Sequence, residues 1–222
     1  MNNFTIIPTH QLYDMIYNYG PELRYELSRS PFSIYELEKE NEIDEEERRM
    51  DLFNSHFSYA TPSKRIINKL KKYIGIEKVL EINSYSGLWS YLLFEEEIDI
   101  KATDHNKYDK IPFINIENIN PMNAIEKYNN RNILLTVWPH FKKNYYKLNN
   151  IVQNFHGDSF ILITEKNIAS KIINNITHGT NQILKELKDK KIEYEWILVK
   201  EFHIPKWLDL DYKVYLLEKQ DL

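Results

Sequence analysis

The chain has 222 residues, of which 42% are hydrophobic and 14% aromatic, enough for one sizeable folded domain and too much for a disordered chain. Its 29 basic and 33 acidic side chains leave a net charge of −4, so the surface as a whole is not a basic glove for nucleic acid. There is no cysteine, which excludes disulfides, zinc–thiolate centres and cysteine nucleophiles.

The opening stretch from Met1 to Pro8 lacks the basic-then-apolar pattern of a secretory leader, and no apolar run reaches membrane-spanning length. The expectation is a cytoplasmic protein with no membrane partner. Residues 1–58 read as a helical N-terminal extension. A helix starts near Thr9, with Leu12, Met15 and Ile16 at helical spacing, and Gly20-Pro21 breaks it. A second helical segment runs from Glu36 to Phe53. Acidic residues concentrate between Glu36 and Glu47 and basic ones between Lys64 and Lys72, which reads as two solvated helix faces. A basic patch touching phosphates stays open for the second of these.

Residues 59–222 read as a second unit. Its first helix has a cap and a proline in Thr61-Pro62-Ser63, an apolar face of Ile66, Ile67, Leu70 and Tyr73, and a stop at Gly75. Val79, Leu80 and Ile82 then form the short apolar run of a buried parallel strand. A polar turn, Asn83 to Gly87, leads into Leu88, Trp89, Tyr91, Leu92 and Leu93 at helical spacing. The alternation continues with a strand from Ile98 to Thr103, a short strand from Phe113 to Ile116, and a helix from Pro121 to Tyr128. Next come a strongly apolar strand from Asn132 to Trp138 and a helix from Asn144 to Phe155. A strand from Asp158 to Thr164 and an amphipathic helix from Thr180 to Lys190 follow. Two last strands, Glu195 to Phe202 and Tyr212 to Leu217, have no helix between them and read as antiparallel neighbours. The pattern predicts an α/β fold with a seven-stranded, mostly parallel sheet, a terminal antiparallel strand and helices on both faces.

The candidate chemistry lies at strand ends, where open α/β sheets bind ligands. Glu81 ends the first strand. Asp104 ends the second, 23 residues further on, a spacing suited to an acid that binds ribose hydroxyls. The segment Glu81-x-Asn83-x-Tyr85-x-Gly87 resembles the Glu-x-Gly-x-Gly-x-Gly loop of class I S-adenosylmethionine-dependent methyltransferases, with Asn83 and Tyr85 in place of the first two glycines. Asn83 tolerates the left-handed backbone a glycine supplies. Tyr85 brings a bulky ring to a position where backbone approaches the cofactor. Trp138-Pro139-His140-Phe141 resembles the fourth motif of the amino-methyltransferases, with Trp138 in place of the polar residue and His140 in place of the second proline. From Tyr59 onward the order of motifs is similar to a methyltransferase-like group. The match runs through Pro62, Glu81 to Trp89, Trp138 to Phe141, Gly157-Asp158, and Ile204-Pro205-Lys206-Trp207 with Tyr215.

The resemblance implies that S-adenosylmethionine contacts Glu81, Asn83, Tyr85, Gly87, Asp104 and Trp138. It also implies that the acceptor meets Trp138, Pro139, His140 and Phe141, with His140 placed to act as a base or to hold a phosphate. No histidine spacing suggests a metal. Two readings stay open. One is a methyltransferase of unknown acceptor. The other is a catalytically inactive module of the same fold that binds a nucleotide, RNA or a protein partner through Tyr59, Tyr85, Trp138 and Phe141.

Overall fold

A strand covered on both faces needs mostly apolar residues, and Ile133–Val137 supplies four of them with Thr136, all five buried. This strand, β4, lies near the centre of the sheet. The computed structural model describes residues 58, 60, 62–106, 112–139, 145–186, 194–204 and 211–221. The expectations for residues 1–57, Tyr59, His140, Phe141, Leu187 to Lys190 and Pro205 to Trp207 lie outside the described residues.

The elements are α1 (Lys64–Ile74), β1 (Val79–Ile82), α2 (Leu88–Glu95), β2 (Ile100–Asp104), β3 (Ile116–Asn118), α3 (Pro121–Lys127), β4, α4 (Tyr145–Asn154), β5 (Ser159–Glu165), α5 (Lys166–Glu186), β6 (Tyr194–His203) and β7 (Tyr212–Asp221). They form one seven-stranded sheet in the order β3-β2-β1-β4-β5-β7-β6. β1 pairs in parallel with β2 on one side and β4 on the other. β7 runs antiparallel to both neighbours, β5 and β6. The mostly parallel sheet with one antiparallel strand is therefore as expected. The chain reverses its direction of winding between β1 and β4, and the carboxyl ends of those strands open the crevice where ligands bind in such sheets.

Side chains alternate along the strands and so build two cores. Val79, Leu135 and Ile161 face α1 and α2 with Ile66, Leu70, Leu88, Trp89 and Leu92. Leu80, Ile82, Leu134, Phe160 and Leu162 face the opposite side with Ala124, Ile125, Leu148, Val152 and Ile172. Each such aliphatic side chain contributes roughly 1.5–3 kcal/mol on burial. Trp89 and Phe160 are core residues, and the Trp89 indole N–H donates to the Ala60 carbonyl at 2.7 Å.

Three local expectations are corrected. The α1 cap is Ser63 rather than Thr61: Ser63 is extended (φ −99°) and its hydroxyl accepts from the Ile66 amide, with Pro62 preceding the cap. β3 covers 116–118 rather than 113–116. Phe113 stays outside the sheet because its amide donates to the Ser86 carbonyl and its ring stacks on Tyr91. α5 begins at Lys166, well before Thr180, despite its β-branched residues, asparagines and Gly179. Packing of Ala169, Ile172 and Ile176 into the core overrides those weak propensities. No helix among the described residues is long and apolar enough to cross a membrane.

The basic stretch of α1 is partly engaged within the chain: Lys71 pairs with Glu96 at 3.1 Å, and Lys69 sits over the Phe202 ring.

Candidate functional site

Between β1 and α2 the backbone makes a tight turn with a left-handed residue at every second position. Asn83, Tyr85 and Gly87 have φ of 54°, 53° and 73°. For tyrosine such a conformation costs roughly 1–2 kcal/mol, so something must hold it. The restraint comes from the end of β2. Ser84 donates its amide (3.1 Å) and its hydroxyl (2.8 Å) to the Thr103 carbonyl, and the Tyr85 amide donates to Asp104 Oδ2 at 3.0 Å. Gly87 is the left-handed N-cap of α2, and a Cβ there would lie 2.8 Å from Ile114 Cγ2. Glycine is needed at 87 for conformation and for space.

Asp104 is buried at the tip of β2. Besides the Tyr85 amide, it accepts from the Asn106 amide at 2.8 Å and has His105 Nδ1 at 3.6 Å. A carboxylate offers about four lone-pair positions. The two amides leave room on Asp104 for further donors.

At the other side of the crevice, Trp138 leaves β4 with a left-handed backbone (φ 44°), and its amide donates to the Ile163 carbonyl at 2.7 Å. Its half-buried indole meets the buried Tyr212 ring edge-on, with centroids 5.3 Å apart at 76°. Pro139 is buried behind it.

These strand ends enclose a cavity of about 570 Å³, inside the range of roughly 300–1,000 Å³ typical of small-molecule sites. Its wall consists of residues 83–86, 104–106 and 120–122, Val137 and Trp138, with Lys147, Asn150 and Ile151 from α4. Ser58, Leu88 and Trp89 complete it. The structure thus brings Asn83, Tyr85, Asp104 and Trp138 together around one space. Gly87 and Pro139 sit behind the wall. The sequence reading missed the contributions of Asn120, Pro121, Met122, Lys147 and Asn150. The Asn120-Pro121 pair was a readable signal, because Asn120 caps α3 through the Asn123 amide and Pro121 opens the helix just after a strand end.

Glu81 does not line this cavity. Its side chain points to the α1/α2 face, 1% exposed, where Oε2 accepts the Ser90 hydroxyl and Oε1 has no partner. Desolvation pushes its carboxyl up to about 8, only partly opposed by the Ser90 hydrogen bond, and the nearby Asp104 charge adds to the rise. The folded chain holds this proton at pH values where the unfolded chain has released it. The contribution of this group to stability is therefore full below about 4.5, declines as pH rises, and is lost above about 8. Glu81→Gln, which cannot ionise, is expected to flatten the fall by a few kcal/mol across that window. Urea unfolding at a series of pH values measures both slopes, and equal slopes would refute the assignment.

No protein-family model matches the sequence, and no curated protein matches it. The fold is similar to several solved structures. One, a protein assigned as a SAM-dependent methyltransferase from Streptococcus mutans, is 14% identical with a TM-score of 0.43 over 70% of this chain; the match spans 48% of that protein. A second, magnesium protoporphyrin IX methyltransferase from Synechocystis with bound SAM, is 8% identical with a TM-score of 0.46, covering 98% of this chain and 100% of that one. A third, precorrin-6y C5,15-methyltransferase from Geobacter metallireducens, is 8% identical with a TM-score of 0.45, covering 73% and 90%. Likenesses this distant carry no weight, and the strand order is what specifies the fold. With its β3-β2-β1-β4-β5-β7-β6 sheet and single antiparallel strand, the chain has the Rossmann-like fold of the class I S-adenosylmethionine-dependent methyltransferases.

Proposed function

We propose that the cavity binds S-adenosylmethionine and that the chain directs its methyl group to an acceptor entering beside Trp138. The observation that carries this reading is the left-handed backbone at positions 83, 85 and 87. A loop that needs glycine-like conformations three times, and keeps two of them with non-glycine residues, retains the path by which backbone closes on a ligand.

The residues present fit the cofactor in three respects. Asn83 lines the cavity and its Oδ1 is buried without a hydrogen-bond partner, so a turn of the side-chain amide would present an acceptor suited to an ammonium group. Asp104 has lone pairs left for two ribose hydroxyls. The cavity has the volume of a small-molecule site. When bound, S-adenosylmethionine supplies a sulfonium-activated methyl group, whose loss to the acceptor leaves a neutral thioether and releases the acceptor's proton. The chain's own contribution is alignment. Asp104, fixed by two amides, orients the ribose, the loop at 83–86 holds the amino-acid end, and Trp138 shapes the acceptor side. Positioning of this kind can supply roughly 7–11 kcal/mol of a barrier, so no covalent nucleophile is required.

Calorimetry with S-adenosylmethionine and its demethylated product tests the reading on the full chain. Binding of both at micromolar concentrations is expected. A chain that binds neither at millimolar concentration would have a cavity for something else, and the inactive-module reading would replace this one.

A further inference from the structure

We propose that the acceptor side of this cavity binds a planar aromatic molecule carrying an acidic group, with Tyr85 and Trp138 against its ring and Lys147 paired with its charge. The role of this molecule as methyl acceptor rests on the methyl-transfer reading; its binding does not. Among the described residues, Tyr85 and Trp138 are two of the four non-glycine residues with positive φ, and both are large aromatics in the wall of one cavity. The left-handed region is disfavoured for bulky side chains, and residues held there cluster at ligand sites.

The sheet places them close together. β1 and β4 are hydrogen-bonded neighbours with Ile82 opposite Thr136, so Tyr85 and Trp138 leave the carboxyl ends of adjacent strands, which run about 4.8 Å apart. Both side chains are half-buried, neither lost in the core nor free in solvent. Tyr212 braces the Trp138 indole from the side, fixing the ring that a ligand meets. A fixed aromatic wall selects flat ligands, because offset stacking and edge contacts reward planarity.

Charge adds the second requirement. Lys147, on the first turn of α4, is the one lysine or arginine in the wall among the described residues, and it has no ion pair. The acid in the same wall, Asp104, is engaged with the Tyr85 and Asn106 amides and near His105. An aromatic acid satisfies the flat wall and the unneutralised cation together. A neutral aromatic satisfies only the first, and an aliphatic acid only the second.

The test uses the full chain and five probes: the four nucleoside 5′-monophosphates and 4-hydroxybenzoate. Each is titrated beside its uncharged counterpart, nucleoside or phenol, with and without S-adenosylhomocysteine. At least one anionic probe is expected to bind at submillimolar concentration and about tenfold more tightly than its counterpart. Lys147→Met, an exposed substitution, is expected to abolish that difference. Tyr85→Gly keeps the left-handed backbone and removes the ring, so it is expected to weaken charged and uncharged probes alike by about tenfold without lowering the melting temperature. Equal binding of charged and uncharged probes, an indifferent Lys147→Met, or no binding by any probe overturns the proposal. S-adenosylhomocysteine binding without probe binding overturns this inference alone, whereas probe binding without S-adenosylhomocysteine overturns the methyl-transfer reading alone.

Discussion

Replacing Gly157 by alanine is expected to destabilise the chain by about 3 kcal/mol, a large part of the roughly 5–15 kcal/mol that holds a domain folded. Gly157 joins α4 to β5, where the chain passes against the start of β4. A Cβ there would lie 2.3 Å from the Asn132 carbonyl oxygen, 2.5 Å from its carbon and 2.6 Å from Phe155 Cε1. A flexible side chain can yield, but that carbonyl is held. It accepts from the Asp158 amide at 3.0 Å and the Ser159 amide at 3.2 Å, and the Asp158 carbonyl in turn accepts from Lys219. Relieving the clash means opening the first rungs between β4 and β5. Urea denaturation of the two proteins measures the difference, and a loss below about 1 kcal/mol would contradict this account of the junction.

The largest functional effect is expected at Asp104. Asp104→Ala removes the acceptor for the Tyr85 and Asn106 amides together with the proposed anchor for the ribose. Hydrogen bonds to a charged group contribute about 1.5–3 kcal/mol each, so the affinity for S-adenosylhomocysteine should fall at least a hundredfold. Loss of the two amide hydrogen bonds, one of which restrains the left-handed Tyr85, should also cost about 3 kcal/mol of stability. Asp104→Asn separates the two effects. One amide oxygen can still hold Tyr85 or Asn106, so stability should recover more than affinity. Calorimetry and thermal melting on the three proteins read both quantities. If Asp104→Ala lost stability but kept full affinity, the carboxylate would be a loop restraint with no contact to the cofactor.

The sheet was readable because its central strands are short apolar runs bounded by polar turns. Ile133 to Val137 and Val79 to Ile82 leave few alternatives, and the lack of a helix between β6 and β7 announced the antiparallel neighbour. β3 was hard to place because Phe113 and Ile114 look like strand residues, yet Ile114 packs over Gly87 and Phe113 stacks on Tyr91, contacts that depend on α2. The first half of α5 was hidden by its low intrinsic propensity, although Ala169, Ile172 and Ile176 follow helical spacing.

At the site, the sequence carried the strand-end acids and the loop spacing. It also suggested a left-handed Asn83, because asparagine is one of the few residues that visits that region readily. Nothing local indicated that Tyr85 would do the same. The bond that holds it comes from Asp104, nineteen positions away. The wall made by Asn120, Met122, Lys147 and Asn150 is likewise a product of tertiary packing, since α3 and α4 meet only once the sheet is assembled. Glu81 sat at the right strand end, but the direction of its side chain follows from the alternation along β1, which sends it beneath α2.

A crystal structure of the full chain grown with S-adenosylhomocysteine tests the central claim most directly. The account predicts the ligand across the loop at 83–87, with its ribose hydroxyls on Asp104 and its amino group within hydrogen-bond distance of Asn83 Oδ1. Crystals grown at saturating ligand that show this cavity empty, or the ligand bound elsewhere on the chain, would contradict it.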